Sequence, residues 1–471
     1  MFYNVLNFTP YVTLVLGVFH LLGLHFCQED RTKIYSRIAR FWLILSLFFA
    51  IIFYTQIPFP RFFLGNAYTL LFELIICILV YHLLGLSVSW FSALNRTGCK
   101  FYILLLFVVL CSNIFLCANN LLSLFVGYAA LSFINYELYV SGHEKKQSTV
   151  SYNILQWFVF VLFCAGIGYF FYVLQGNTDY DNLKKFLALN TKSQYTFGAV
   201  VALILPFFYS IGIAPLHIAT EDKLSKSILP TSHYFAIVSP LILFGGFIKL
   251  NAVFFVAYAD ILNKAYFIFA LFSMVLGAIG ANARINLQRI YAYSSFYHFG
   301  LVLLLLSLGH KHTDFAGFIY LIAYLLSLNG AYLVFYSLKS HGEYLLSIAG
   351  LAGLAETRPY AAGALSVSLF SLIGMPPLIG FLGVLNLSYE MIRGEYFITL
   401  CVAFVFLLFL FKAYLGIIKT AFFEHKIRIF DTVNKWVITY MFLNITFVVL
   451  LLFNPFHLIE HVKDMFYVVF L

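Results

Sequence analysis

The 471-residue sequence predicts an all-α polytopic membrane protein of about fourteen transmembrane helices, two of them broken. Composition is the first of three observations that predict it. Apolar residues make up 63% of the chain and charged residues 10%, too little charge to cover a water-soluble fold of this size. The second is a series of apolar runs of about 20 residues, the length that crosses a hydrocarbon core. The third is a pair of Gly/Pro interruptions inside two of those runs.

The runs lie near 5–27, 38–58, 65–94, 101–118, 119–140, 149–175, 196–217, 228–251, 253–281, 287–308, 315–338, 359–392, 395–421 and 433–454. No basic region precedes the first, so it reads as a retained span and not as a cleaved signal or transit peptide. The runs 65–94 and 359–392 exceed one bilayer thickness and require tilt or a break. The chain reads as one transmembrane domain over 1–471: N-terminal helices over 1–100, a core over 101–420, and a C-terminal helix and tail over 421–471. The tail "FHLIEHVKDMFYVVFL" is amphipathic and suits a membrane surface or a partner.

The aqueous loops "QEDRTKIYSR", "NRTGCK", "SGHEKKQS" and "GNTDYDNLKKFLALNTKSQ" are too short to house a nucleotide or a redox centre. The seven cysteines show no metal-ligand spacing and read as small buried apolar residues, which argues against a haem or iron–sulfur site. The net charge of +9 is spread over short loops and forms no nucleic-acid patch.

The first interruption is "YSIGIAPLHIATEDKLSKSILPT", with Gly212, Pro215 and Pro230; the second is "LFSLIGMPPLIGFLGVLN", with Gly374, Pro376, Pro377, Gly380 and Gly383. Proline removes a backbone donor and clashes with the preceding turn, so both helices should break. Backbone groups freed at membrane depth need protein or water partners. One proline alone reads as a packing kink, whereas two interruptions in separate parts of the chain point to an inverted-repeat transporter fold with its ion path near the breaks.

An ionisable side chain at mid-span costs on the order of 3 kcal/mol on insertion scales and demands a reason. The interior candidates are Glu73, His82, Glu137, His217, Lys249, Asp260, His298, Glu390 and Lys412. Glu137, Asp260 and Glu390 fall near span ends and read as interfacial, Lys412 as snorkelling, and His82 as satisfying a nearby carbonyl. The candidates for a hydrophilic axis are His217, which closes the first interruption; His298, beside Ser294 and Ser295 in "YAYSSFYHFG"; and Lys249 in "GGFIKLN". Histidine carries protons near neutral pH and hydroxyls extend a hydrogen-bonded chain.

Three motifs, in matching order and spacing over roughly 105–420, resemble the antiporter-like membrane subunits of respiratory complex I. "GIAPLHIATED" through "LPTSHYFAIVSP" is similar to that family's G-x-A-P-x-H segment. "NLQRIYAYSSFYHFGLVLL" is similar to its K-R-x-x-A-Y-S-S-x-x-H-x-G pattern, with Gln288 at the first basic position. "LAGLAETRPYAAGALSVSLFSLIGMPPLIGFLG" is similar to its L-A-G-L and F-S-L-x-G-x-P-P-x-x-G-F segments, and the last two motifs resemble chain 2 most.

The resemblance implies an antiporter-like fold and a membrane-arm subunit of NADH:ubiquinone oxidoreductase, contributing to assembly and to proton translocation coupled to NADH oxidation and quinone reduction. It implies no flavin, iron–sulfur cluster or NADH on this chain, with the other membrane-arm subunits and the lipid bilayer as partners and no nucleic acid. Bound phospholipid is expected at the outer face, because aromatics make up 20% of the residues and favour headgroup levels. A stand-alone cation/proton antiporter subunit and a purely structural assembly subunit are the alternatives.

The family's buried charges do not carry over. Its fifth-span glutamate falls on Ala129, its seventh-span lysine on Ser210, its eighth-span lysine on Pro240 or Leu241, and its twelfth-span lysine on Val384. Two readings stay open: Glu137 and Lys249 substitute for the lost groups, or the subunit keeps its fold without conducting protons. The abundance of Phe and Tyr, 56 and 33 residues, suggests an AT-rich organellar code and so a mitochondrial inner membrane, with a bacterial plasma membrane as the alternative.

Overall fold

A computed structural model describes residues 9–26, 32–53, 62–93, 98–142, 149–190, 193–425, 430–454 and 457–470. The helices in chain order are α1 (Thr9–Phe26), α2 (Thr32–Phe53), α3 (Ala67–Ala93), α4 (Cys99–Leu116), α5 (Leu121–Ser141), α6 (Thr149–Val173), α7 (Tyr180–Leu189), α8 (Gln194–Ile211), α9 (Ile218–Lys226), α10 (Leu229–Asn282), α11 (Leu287–Leu306) and α12 (Lys311–Phe335). After them come a hairpin of β1 (Lys339–Ser340) and β2 (Glu343–Tyr344), then α13 (Leu354–Thr357), α14 (Pro359–Ile373), α15 (Ile379–Arg393), α16 (Phe397–Phe423), α17 (Lys435–Leu450) and α18 (Leu458–Tyr467).

Eleven helices among the described residues are long and apolar enough to cross a bilayer. The other three expected spans are present in altered form. α1 is shorter; α14 and α15 are two 15-residue halves of the run 359–392. α11 carries too many polar residues to read as a lipid-facing span, and it buries 19 of its 20 residues inside the protein. The long run near 65–94 is one unbroken helix, α3, whose 27 residues extend about 40 Å at 1.5 Å per residue and so require tilt. The runs 228–251 and 253–281 merge into the 54-residue α10, kinked where Tyr258 leaves helical geometry.

The described residues group into two compact units: one made of residues up to Ser210, Val238–Ala259 and Val462 onward, the other of Ile211–Ile237 and Asp260–His461. In the first unit, the tail helix α18 buries Phe466 against Tyr68 of α3, ring centroids 5.5 Å apart. The segment expected as a loop at "GNTDYDNLKKFLALNTKSQ" forms α7, because Tyr180, Leu183 and Leu187 recur at helical spacing and are buried together.

Candidate functional site

Both expected breaks are present. α8 stops at Ile211, Gly212 turns the chain at φ +96°, and α9 begins at Ile218. Gly212 is required twice over, by that left-handed conformation and because a Cβ there would meet Thr220 and Phe296. The freed amide of Ala214 finds a partner in Ser273, donating to its hydroxyl at 2.9 Å. At the second break α14 ends at Ile373, and Gly374, at φ +86°, caps it while the Met375 amide donates to Phe370 O at 3.0 Å. α15 starts at Ile379 with the Gly380 amide donating to the Ser371 hydroxyl at 3.2 Å; that hydroxyl lies 2.7 Å from the Ser327 hydroxyl. Interrupted backbone is thus partnered by side chains, as membrane depth demands.

The second unit gathers four of the candidate side chains. His217 stacks edge-on against Phe296, centroids 5.1 Å apart, and its Nδ1 has no partner. On either side of Phe296 in α11, the Ser294 hydroxyl meets Tyr414, the Tyr324 hydroxyl donates to Ser295 at 2.7 Å, and His298 Nδ1 lies 2.8 Å from the Tyr320 hydroxyl. His298 is 1% exposed, stacks on Tyr324 at 4.3 Å, and leaves Nε2 unpartnered. Histidine and hydroxyls arranged this way can accept a proton at one atom and release it at another. Glu221 of α9 sits at one end of α11, taking the Tyr293 hydroxyl at 3.0 Å, with Arg289 at 3.8 Å and Arg284 at 4.0 Å.

Lys249 and Glu137 belong to the first unit. Lys249, 8% exposed, donates from Nζ to Leu116 O at 3.0 Å, at the C-terminal end of α4. Glu137 lies elsewhere, accepting from the exposed Lys100 at 2.8 Å.

The positions onto which the sequence resemblance carries the family's charges hold uncharged side chains. Tyr128, next to Ala129, places its hydroxyl 2.8 Å from that of Ser210 and donates to Pro206 O at 3.0 Å, among the rings of Phe163, Phe207 and Phe115. Pro240 and Leu241 are buried in α10. Val384 packs beside Gly374, where a Cβ would meet its Cγ2 at 2.6 Å.

Two residues escaped the sequence reading. Lys223 of α9 is 5% exposed, with its ammonium 5.9 Å from the Phe235 ring centroid. Only the amphipathic spacing of "IATEDKLSK" after a helix break signals that burial. Asn113, also buried, donates to Glu73 Oε1 at 2.7 Å.

Comparison with known proteins agrees with this layout. Residues 118–410, which contain both breaks, match the family NADH:quinone oxidoreductase/Mrp antiporter, TM. NADH-quinone oxidoreductase subunit N of Rhodospirillum rubrum is 26% identical over 354 residues, covering 74% of this chain and 72% of the relative. The subunit N of Rickettsia bellii is 29% identical over 347 residues, covering 72% and 74%. In fold, the chain is similar to one in respiratory complex I from Thermus thermophilus, with TM-score 0.79 and 21% identity over 96% of this chain and 98% of that one. A chain of the Mrp complex from Dietzia sp. DQ12-45-1b gives TM-score 0.81 at 15% identity, over 100% and 98%. With more than half its length matched, including both discontinuous helices, the chain belongs to the NADH:quinone oxidoreductase/Mrp antiporter transmembrane family.

Proposed function

We propose that this multi-pass membrane protein is a membrane-arm subunit of an NADH:quinone oxidoreductase. Electron transfer from NADH to quinone takes place on partner subunits. This chain contributes to the membrane arm and to the proton movement coupled to that transfer. The observation that carries the reading is the family match running through both broken helices, joined by relatives named NADH-quinone oxidoreductase subunit N. The Mrp-like reading, a stand-alone antiporter, is less well supported, because the positions that hold its exchanging charges are here Ala129, Ser210 and Val384. The axis of unit two, from His217 through Ser294, Ser295 and His298, is the polar route we assign to proton movement.

Two further expectations belong to this reading. Phospholipid occupies the aromatic-rich exterior, where Trp157, Phe158 and Tyr172 are exposed. The Phe and Tyr content supports a mitochondrial inner membrane as the host, and the bacterial relatives support the alternative, a bacterial plasma membrane. Affinity-tagging the chain and resolving mild-detergent extracts by native electrophoresis tests the core of the proposal. Comigration with a large NADH-oxidising assembly is the expected result; migration alone, or with sodium–proton exchange and no NADH oxidation, contradicts it. Fractionation of the same cells locates the membrane.

A further inference from the structure

In the first unit, Tyr128 of α5 stands where five helices meet. The residue is 1% exposed, and its ring packs against Phe163 of α6 with centroids 4.5 Å apart, Phe207 of α8 at 5.5 Å and Phe115 of α4 at 6.4 Å. Phe247 of α10 packs in turn on Phe207 at 5.7 Å, and all four phenylalanines are buried. Two glycines hold Phe115 close. A Cβ on Gly127 would meet its Cα at 2.6 Å, and one on Gly246 would enter its ring.

The polar atoms inside this shell have few hydrogens to share. A phenol gives one hydrogen and accepts through its lone pairs, whereas an amide carbonyl only accepts. Tyr128 gives its hydrogen to Pro206 O at 3.0 Å, so the Ser210 hydroxyl, 2.8 Å away, is the donor to Tyr128. Ser132, one turn further along α5, also reaches this phenol oxygen. The hydrogens thus converge on Tyr128 and end on a backbone carbonyl of α8, which has no proton of its own to hand on. Ser210 and Ala129, the neighbour of Tyr128, are positions onto which the sequence resemblance carries a lysine and a glutamate.

We infer that Tyr128 closes the first unit to protons at this junction. Its hydroxyl ties α5 to α8 without charge, and the packed rings fill the space that a chain of water would need. The proton movement proposed above then belongs to the second unit. The alternative is that Tyr128 and Ser210 relay protons in place of the missing charges.

The inference rests on the subunit reading above, and the test separates the two. Tyr128→Ala leaves a space lined by Ser132, Ser210 and Pro206 O, polar partners enough to hold water. Tyr128→Phe and Ser210→Ala remove a hydroxyl and leave the rings in place. The assembly is purified through the tagged chain, as wild type and as each variant, and reconstituted in vesicles. Protons moved per NADH are measured, and so is the decay of an imposed pH gradient with no NADH present. The expected result is a wild-type ratio per NADH in Tyr128→Phe and Ser210→Ala, with the gradient decaying several-fold faster in Tyr128→Ala alone. A lower ratio in Tyr128→Phe without faster decay makes the hydroxyl a relay and overturns the closure. Decay at the wild-type rate in assembled Tyr128→Ala overturns it too. If Tyr128→Ala fails to assemble, Phe163→Ala opens the same shell from α6 and is read by the same two outcomes. Gradient decay needs no NADH oxidation and so reads the closure by itself. A wild-type chain found in no NADH-oxidising assembly overturns the subunit reading, and with it the assignment of proton movement to the second unit.

Discussion

His298 and Tyr320 face each other across α11 and α12, the imidazole Nδ1 2.8 Å from the phenol oxygen, in a site from which solvent is excluded. That contact engages Nδ1 and leaves Nε2 buried without a partner.

Tyr320→Phe tests the contact. A buried polar atom deprived of its partner costs about 1–3 kcal/mol, so the purified protein in detergent should melt at lower temperature by that equivalent. An unchanged melting temperature would mean that the hydroxyl contributes nothing to holding the ring.

The second break rests on a missing side chain. A Cβ on Gly380 would land on the Ser371 carbonyl, a backbone atom that cannot swing away, whereas one on Gly363 would meet nothing within 4 Å. Gly380→Ala should therefore destabilise the protein by about 1–3 kcal/mol or more, with Gly363→Ala near neutral. Thermal melts of the two variants beside wild type give the comparison, and equal stability would contradict the described packing.

Outside the spans, Asp431 ties the segment after α16 to the hairpin. The amide of Gly342 donates to its carboxylate at 2.9 Å and that of His341 at 3.0 Å, with Lys339 at 3.7 Å. The Gly342 hydrogen bond, then that from the His341 amide and the charge of Lys339, hold the Asp431 carboxyl below the ordinary carboxylate range. A group whose pKa falls on folding adds stability above its unfolded value of about 4, and that contribution disappears as pH drops through the lower folded value. Stability should fall with acidification below about pH 4 in wild type and fall less steeply in Asp431→Asn, measured as melting temperature against pH.

Much of this architecture was legible in the residues themselves. Apolar runs report solvent directly, and Gly212, Pro215, Gly374, Pro376 and Pro377 act on their own backbone, so spans and breaks needed no tertiary knowledge. α11 was legible as a span from its length, but its near-complete burial was not, because "QRIYAYSSFYH" suits a protein-lined interior and a pore equally. Lys223 was masked by its neighbours: within "EDKLSK" it looks like one more solvated loop charge, and only the return of α9 into the protein buries it. Glu73 was visible as an isolated carboxylate in an apolar run. Its hydrogen bond from Asn113 depends on α4 packing beside α3, a tertiary fact with no local signature.

The most direct test of the account removes this chain from the membrane and follows NADH-driven acidification of inverted vesicles, beside NADH oxidation by a soluble artificial electron acceptor. A membrane-arm subunit predicts that the artificial reaction survives while quinone-coupled proton movement falls away. Proton movement per NADH that matches wild type in the absence of the chain would contradict it.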